Sequence, residues 1–174
     1  MKKHFFILFA CFALAIKSNA QQTPTADAVL KEACTKAAKE NKKVMVIFHA
    51  SWCGWCKKME ASLNDPSVKD YFNKNYVITY LTIDEAQDKK NLENPGAKDL
   101  NKKWGGDDQG IPFWVIMDKD GNILADSQIE PKKNIGCPAT VEEVAHFIKV
   151  LKKTSSINDE QIAAVEKRFR RNEN

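Results

Sequence analysis

The chain has 174 residues, 43% of them hydrophobic, which is enough for one domain with its own core. Its 27 basic and 23 acidic residues give a net charge of +4, but three of the basic residues, Lys2, Lys3 and Lys17, belong to the first 20 positions. The remainder is therefore close to neutral, at about +1, so the charge gives no reason to expect nucleic acid as a partner.

The first 20 residues have the layout of a secretory signal peptide. Lys2 and Lys3 precede an apolar run over residues 5–16, and small residues lead up to Ala20. The run is too short for a permanent membrane anchor. We therefore predict cleavage after Ala20, secretion across the inner membrane and a periplasmic location. Lipidation of Cys11 is not favoured, because cleavage before it would cut through the apolar run.

Two thiols three residues apart, Cys53 and Cys56, are the centre of the sequence. The apolar, β-branched run 44–48 before them is typical of a buried strand, whereas the residues after Cys53 have helical spacing. A strand that turns into a helix here places Cys53 at the helix N-terminus, where free N–H groups and the helix dipole favour a thiolate. Cys56 follows one turn later, within reach of a disulfide. The pair therefore has the minimum apparatus for thiol–disulfide exchange.

Other uses of two cysteines at this spacing fit less well. Structural zinc needs about four ligands, and the sequence has no second pair at similar spacing. Covalent haem attachment needs His after the second Cys, but Lys57 stands there. An inert structural disulfide stays open, although so short a loop between Trp52 and Trp55 is a poor choice for joining parts of a chain. We expect no metal and no bound cofactor.

The other elements follow from periodicity, caps and turns. Cys34 lies in the apolar stripe of the first helix and is expected to be a buried small hydrophobic residue. Thr140 and Glu143 form a capping box. The predicted elements are a helix over 25–41, a helix opening at Asp65-Pro66, a strand over 77–83, a loop over 84–96, a short helix to about Trp104, a strand over 113–117, a hairpin partner over 122–125, a helix from Thr140 and an amphipathic helix over 158–171.

The order of these elements, with Trp-Cys-Gly-Trp-Cys after the first strand and Gly110-Ile111-Pro112 before the hairpin, resembles the thioredoxin fold over about residues 28–152. The resemblance implies an α/β fold with a central mixed β-sheet flanked by helices and an extra C-terminal helix. The implied organisation is a signal peptide over 1–20, a thioredoxin-like domain over 21–153 and a C-terminal helical extension over 154–174. Residues 65–68 and the signal peptide are most similar to exported proteins related to the C-terminal domain of transmembrane thiol:disulfide interchange reductases.

The resemblance also implies roles for single residues. Cys53 is then the exposed catalytic nucleophile that forms a mixed disulfide with the substrate, and Cys56 attacks that bond to release reduced substrate. Pro112 is then a cis-proline that faces the redox-active pair. The implied substrate-binding residues are Trp52, Gly54, Trp55, Ile111 and Pro112.

Two positions depart from thioredoxins. Where they carry a buried Asp six residues before the first Cys, this chain has Ile47, so Cys56 needs another proton acceptor. His49 is the nearby titratable candidate, although a histidine in this position is more often hydrogen-bonded or solvated than a base. Trp55 replaces Pro between the cysteines, and this dipeptide tunes the reduction potential, so the direction of electron flow does not carry over. Whether Cys34 pairs with Cys137 stays open.

We therefore predict an exported, monomeric thiol–disulfide oxidoreductase that acts on protein thiols and disulfides. The reductase direction is favoured, with a membrane thiol:disulfide reductase as electron donor. An oxidase or a disulfide isomerase is the alternative within this class. The alternative from a different class is a module that holds copper or a client protein without turnover. Copper carriers on this fold need a longer Cys spacing and a downstream His, and His146 falls inside a helix pattern.

Overall fold

The computed structural model describes residues 23–173. The predicted signal peptide, its cleavage after Ala20 and Cys11 lie outside these residues. The elements in chain order are α1 (Ala26–Glu40), β1 (Lys43–His49), α2 (Gly54–Leu63), α3 (Lys69–Asn75), β2 (Tyr76–Thr82), a 3-10 helix (Gln87–Leu92), α4 (Ala97–Lys103), β3 (Phe113–Met117), β4 (Ile123–Asp126), β5 (Gln128–Glu130), β6 (Lys133–Asn134), α5 (Val141–Thr154), α6 (Asp159–Arg170) and a second 3-10 helix (Arg171–Glu173).

A four-stranded sheet with the order β2-β1-β3-β4 lies at the centre. β1 pairs in parallel with β2 and antiparallel with β3, and β4 pairs antiparallel with β3 as the outer strand of a hairpin. The sheet is therefore mixed, with helices on both faces, and the predicted thioredoxin fold is confirmed. None of the helices within residues 23–173 has the length and apolar character needed to cross a membrane.

Both faces of β1 are covered, which explains why residues 44–48 form an unbroken apolar run. Met45 and Ile47 point into a core shared with α2, α3, α5 and α6. Val44, Val46 and Phe48 point into a second core, under α1 and α4. The central strand is thus fixed from two sides, and the segment that follows it starts from a rigid position.

The last two helices complete the larger core. Thr140 caps α5 and Asn158 caps α6, each with both hydrogen bonds of a capping box. The ring of Phe169 on α6 lies 4.9 Å from that of Phe147 on α5 and 6.2 Å from that of Phe72 on α3. Helix α6 therefore packs its apolar face into the same core as the helix that carries Cys56.

Two local predictions were wrong. The helix expected from Asp65-Pro66 begins at Lys69, because the Asp65 carboxylate accepts from the backbone N and hydroxyl of Ser67 and closes a turn instead. Cys34 is half-buried rather than buried, since it lies at the margin of the α1 contact with the core. In addition, the predicted loop over 84–96 contains the 3-10 helix Gln87–Leu92.

Candidate active site

Cys53 lies where β1 turns into α2. The strand ends at His49, and a tight turn follows in which the backbone N of Cys53 donates to the carbonyl oxygen of Ala50 at 3.1 Å. Helix α2 begins at Gly54, so Cys53 is its N-cap residue. Its Sγ accepts a hydrogen bond from the backbone N of Cys56 at 3.1 Å. This donor stabilises a thiolate at Cys53 when the pair is reduced.

Cys53 and Cys56 form a disulfide, with their Cα atoms 5.3 Å apart. The two residues pack with Ala50 and Ile111 in a small apolar cluster. Cys53 is only 3% exposed in this oxidised state, so the expectation of an exposed nucleophile does not hold for it. The cover comes from the turn on one side and from Ile111 on the other, whose carbonyl oxygen lies 3.6 Å from Cys53 Sγ.

Two tryptophans form the exposed rim of the disulfide. Trp52 is 59% exposed and Trp55 is 48% exposed. The indole N–H of Trp52 donates to the carbonyl oxygen of Asp84 at 2.7 Å. The Nζ of Lys58 lies 4.6 Å from the centre of the Trp55 ring, a cation–π contact. Both side chains are therefore held in place while about half of their surface remains exposed to a partner.

The segment before β3 forms the opposite wall. The Ile111–Pro112 peptide bond is cis, as the resemblance implied. A groove of about 200 Å³ runs between this segment and the start of α2. Its lining residues are Trp55, Gln109, Gly110, Ile111, Pro112, Asn134, Ile135, Gly136, Cys137 and Glu143. Of the predicted substrate-binding residues, Trp55, Ile111 and Pro112 line this groove, whereas Trp52 and Gly54 lie outside it, on the turn and at the first position of α2.

Asn134 on the short hairpin of β5 and β6 fixes this wall. Its side-chain amide N contacts the carbonyl oxygens of Gln109, Gly110 and Pro112 at 3.0–3.3 Å. Its side-chain oxygen, Oδ1, accepts from the backbone N of Gly136 at 3.0 Å. Sequence reasoning missed this residue, because strands of two and three residues are too short for an alternating pattern.

Glu85 is a second residue that sequence reasoning missed. It follows β2 in the predicted loop, yet it is only 4% exposed. Its carboxylate accepts from the backbone N of Ser51 at 2.5 Å and from the Ser51 hydroxyl at 2.7 Å. Burial raises the pKa of Glu85, but the hydrogen bonds from Ser51 and the charge of Lys89 outweigh burial and leave it below its ordinary value. Glu85 is therefore a carboxylate at neutral pH, next to the turn that carries Cys53.

Residues 30–133 match the thioredoxin-like domain family. The chain belongs to this family. With the Cys53–Cys56 disulfide at the N-terminus of α2, this thioredoxin-like protein is a thiol–disulfide oxidoreductase. No curated protein matches the chain.

Several solved structures are similar to this thioredoxin-like chain. A disulphide isomerase from Xylella fastidiosa shares 20% identity, with 66% of this chain and 79% of that chain covered and a TM-score of 0.47. The reduced DsbD C-terminal domain from Neisseria meningitidis shares 30% identity, with 57% and 81% covered and a TM-score of 0.41. A thioredoxin from Thermus thermophilus shares 19% identity, with 75% and 84% covered and a TM-score of 0.46.

Ile47 occupies the position six residues before Cys53, where the resemblance to thioredoxins implied a buried Asp. Ile47 is buried in the core beside α2. His49, the candidate base, has its Nε2 3.1 Å from the Thr82 hydroxyl, and its ring lies 5.2 Å from that of Tyr80. Burial lowers the pKa of His49 below its ordinary value, so the imidazole is neutral at neutral pH. His49 is thus a hydrogen-bonded, partly buried histidine.

The other two cysteines of the described chain are both free thiols. Cys137 is buried behind the groove, and its Sγ accepts from the side-chain amide of Asn172 at 3.3 Å. The same amide donates to Ser62 on α2 and to the carbonyl oxygen of Pro138. Burial raises the pKa of Cys137 to about 12, and burial also raises that of Cys34. The two thiols therefore remain protonated at neutral pH, unpaired with each other.

A metal site needs several His, Cys, Asp or Glu side chains close together. Within residues 23–173, no group of three or more His, Cys, Asp or Glu residues is placed to hold a metal ion. His146 lies on α5, as the sequence predicted, away from the residues that pack around the disulfide.

Proposed function

We propose that this protein reduces disulfide bonds in other proteins, outside the cytosol. The observation that carries the proposal is the Cys53–Cys56 pair at the start of α2, packed against Ile111 of the cis Ile111–Pro112 segment, which also lines an open groove. The protein-disulfide substrate is favoured over a small thiol compound because the rim is formed by two large exposed indoles, which suit contact with another protein surface.

The reaction proceeds in two exchanges. In the reduced protein, the Cys53 thiolate attacks one sulfur of the substrate disulfide; a mixed disulfide forms, and the second substrate sulfur leaves as a thiolate that takes up a proton. Cys56 then loses its proton and attacks Cys53 Sγ, so the Cys53–Cys56 disulfide forms and the first substrate sulfur is released. Two electrons pass to the substrate, and a donor dithiol must return two electrons to the pair.

Two sequence features support the proposed location, direction and electron donor. The first 20 residues have the layout of an export signal, which favours a periplasmic location. The resemblance to the C-terminal domain of transmembrane thiol:disulfide interchange reductases favours the reductase direction. The same resemblance favours a membrane thiol:disulfide reductase as the donor.

The test of direction is the reduction potential of the Cys53–Cys56 pair. Residues 21–174 are equilibrated in dithiothreitol and glutathione buffers, quenched with acid and treated with an alkylating reagent that adds mass to each free thiol. We expect a value near that of thioredoxin, about −270 mV. A value of about −180 to −120 mV would instead indicate an isomerase or oxidase, and the reductase proposal would fail.

The test of substrate class uses a trapping variant. In Cys56→Ser the second exchange is blocked, so mixed disulfides with substrate proteins should accumulate at Cys53, to be identified after non-reducing electrophoresis. The matched control, Cys53→Ser, lacks the attacking thiol and should trap none. If the pair never cycles and only an added metal ion protects it from alkylation, the enzyme proposal is wrong and a metal-holding module takes its place.

A further inference from the structure

We propose that Glu85 is a positioning residue for Cys53: it holds the turn that presents the nucleophile, and its negative charge makes the Cys53–Cys56 pair more reducing. The inference rests on thiol–disulfide exchange at Cys53, as in the proposed function, but not on the direction of that exchange.

Glu85 holds the turn before α2 through Ser51. Residues 50–53 form a single tight turn, closed by the hydrogen bond from Cys53 N to Ala50 O. Both oxygens of the Glu85 carboxylate are used on Ser51, one for its backbone N and one for its hydroxyl. Such charge-assisted bonds are shorter and stronger than bonds between neutral groups. Ser51 therefore has little freedom to rotate, and Cys53 lies two residues further along the same turn.

Two consecutive residues after β2 hold two consecutive residues of the turn. Asp84 accepts from the indole N–H of Trp52, while Glu85 accepts from Ser51. Two contacts at consecutive positions fix the direction of the turn as well as its place. The turn is thus attached to the end of β2, independently of its covalent link to β1.

The segment that carries Glu85 is itself held by hydrogen bonds and an ion pair. The backbone N of Glu85 donates to the Glu93 carboxylate at 2.8 Å, and Glu93 forms an ion pair with Lys90 at 2.7 Å. Asn94 exchanges two hydrogen bonds with the backbone of Thr82 at the end of β2, at 2.7 and 3.1 Å. The segment that carries Glu85 therefore resists displacement when a substrate binds against the turn.

Glu85 also acts on Cys53 through its charge. Glu85 is 4% exposed, so water screens its charge only in part. A fixed negative charge beside the Cys53 turn opposes the formation of a second negative charge on Cys53. A less stable thiolate makes the reduced form less stable, and the pair then gives up its electrons more readily. The same carboxylate thus positions the nucleophile and limits its acidity.

Two variants separate the charge from the reach of the side chain. Glu85→Gln keeps the length of the side chain and removes the charge. We expect its redox equilibrium with glutathione to shift at least threefold towards the reduced protein, with a lower Cys53 pKa measured from thiolate absorbance. Glu85→Asp keeps the charge but is one methylene too short for Ser51. We expect its equilibrium within twofold of the natural protein, and its rate constant for attack on a model disulfide at least threefold lower.

The control is Glu32→Gln, which removes an exposed charge from α1 and should change neither quantity. Ser51→Ala, which keeps Glu85 and loses only one hydrogen bond, should show a smaller loss of rate and serves if a Glu85 variant does not fold. The inference is overturned if the Glu85 variants match Glu32→Gln in both the redox equilibrium and the rate constant. If a Glu85 variant does not fold, the same result for Ser51→Ala overturns it. A natural protein that does not exchange disulfides at all would instead contradict the proposed function, since every comparison here is made relative to it.

Discussion

The thiol of Cys137 lines the same groove as Trp55 and Ile111 but differs from the redox pair in reactivity. It is buried, accepts a hydrogen bond from Asn172 and has its pKa raised to about 12 by burial. At pH 8 only about one molecule in ten thousand then carries the reactive thiolate. In the reduced, folded protein we expect iodoacetamide to modify Cys53 first and Cys137 only after unfolding. Timed alkylation followed by peptide mass spectrometry measures this, and rapid labelling of Cys137 under native conditions would contradict it.

We expect two partly buried histidines to make the stability depend on pH. Burial lowers the pKa of both His49 and His146 below the ordinary value near 6.5. As the pH falls, the unfolded chain therefore binds protons before the folded one does, and the free energy of unfolding decreases. We expect this decrease to start near pH 6.5 and to continue down through the folded-state pKa values, as measured by urea unfolding between pH 7.5 and 5.5.

The matched variants His49→Gln and His146→Gln should each remove part of that decrease. The pKa values of Asp65 and Glu85 are lowered, so both keep their charges over this range. Their contribution to the free energy of unfolding is lost only at more acidic pH. If both single variants keep the full pH dependence of the natural protein, the assignment to these histidines is wrong.

At the residue scale, the sequence predicted the redox pair but not the residues that hold it. Cys53 and Cys56 are recognisable because spacing, strand and helix are all local. Glu85 gave no signal, because its partner Ser51 is 34 residues away and a Glu in a polar stretch is ordinarily exposed. The sequence correctly placed Cys34 in the apolar stripe of α1. Periodicity does not show how much of that stripe the core covers.

The capping box of α5 sets the start of the helix that borders the groove. The Thr140 hydroxyl accepts from the backbone N of Glu143, and the Glu143 carboxylate accepts from the backbone N of Thr140. Thr140→Ala removes one of these bonds, and we expect the free energy of unfolding to fall by about 1 kcal/mol. Thr140→Ser keeps the hydroxyl and should lie within a few tenths of a kcal/mol of the natural protein. Equal midpoints for both variants in urea unfolding would contradict the cap's contribution.

At the element scale, long periodic segments were predicted well and short irregular ones were not. The start of α5 was found because its capping box is local in sequence. The start of α3 was misplaced because Asp65 has two uses, as a helix cap and as a turn residue, and only the fold selects the second. The hairpin of β5 and β6 was missed for the opposite reason: it is held by Asn134 rather than by a pattern of its own.

Helix α6 is part of the core of the whole molecule. The Phe169 side chain is fully buried, with its ring against those of Phe147 and Phe72. We expect Phe169→Ala to lower the free energy of unfolding by about 3–5 kcal/mol, because it removes a buried ring and leaves a cavity. Ile123→Ala, at a position 43% exposed, should change it by no more than about 0.5 kcal/mol. Urea unfolding measures both, and similar small effects would show that α6 is not packed in solution.

At the scale of the molecule, the sequence predicted which elements exist and left open what covers them. The apolar face of residues 158–171 indicated an amphipathic helix, but periodicity does not say which surface it packs on. The contact of Phe169 with Phe147 joins positions on two different helices, so it depends on the path of the chain between them. The mixed order of the strands came from resemblance to a known fold rather than from any pattern within the strands themselves.

The burial of Asn172 affects how the protein should be handled at the bench. Its backbone carbonyl oxygen accepts from Lys58 Nζ, the group that lies over the Trp55 ring beside the disulfide. An affinity tag or a surface linkage joined directly after residue 174 would disturb this contact. The measured reduction potential or rate would then include an effect of the tag. The exposed turn at residues 118–121, at the opposite end of β3 from Pro112, is a better place for a dye or an immobilisation site.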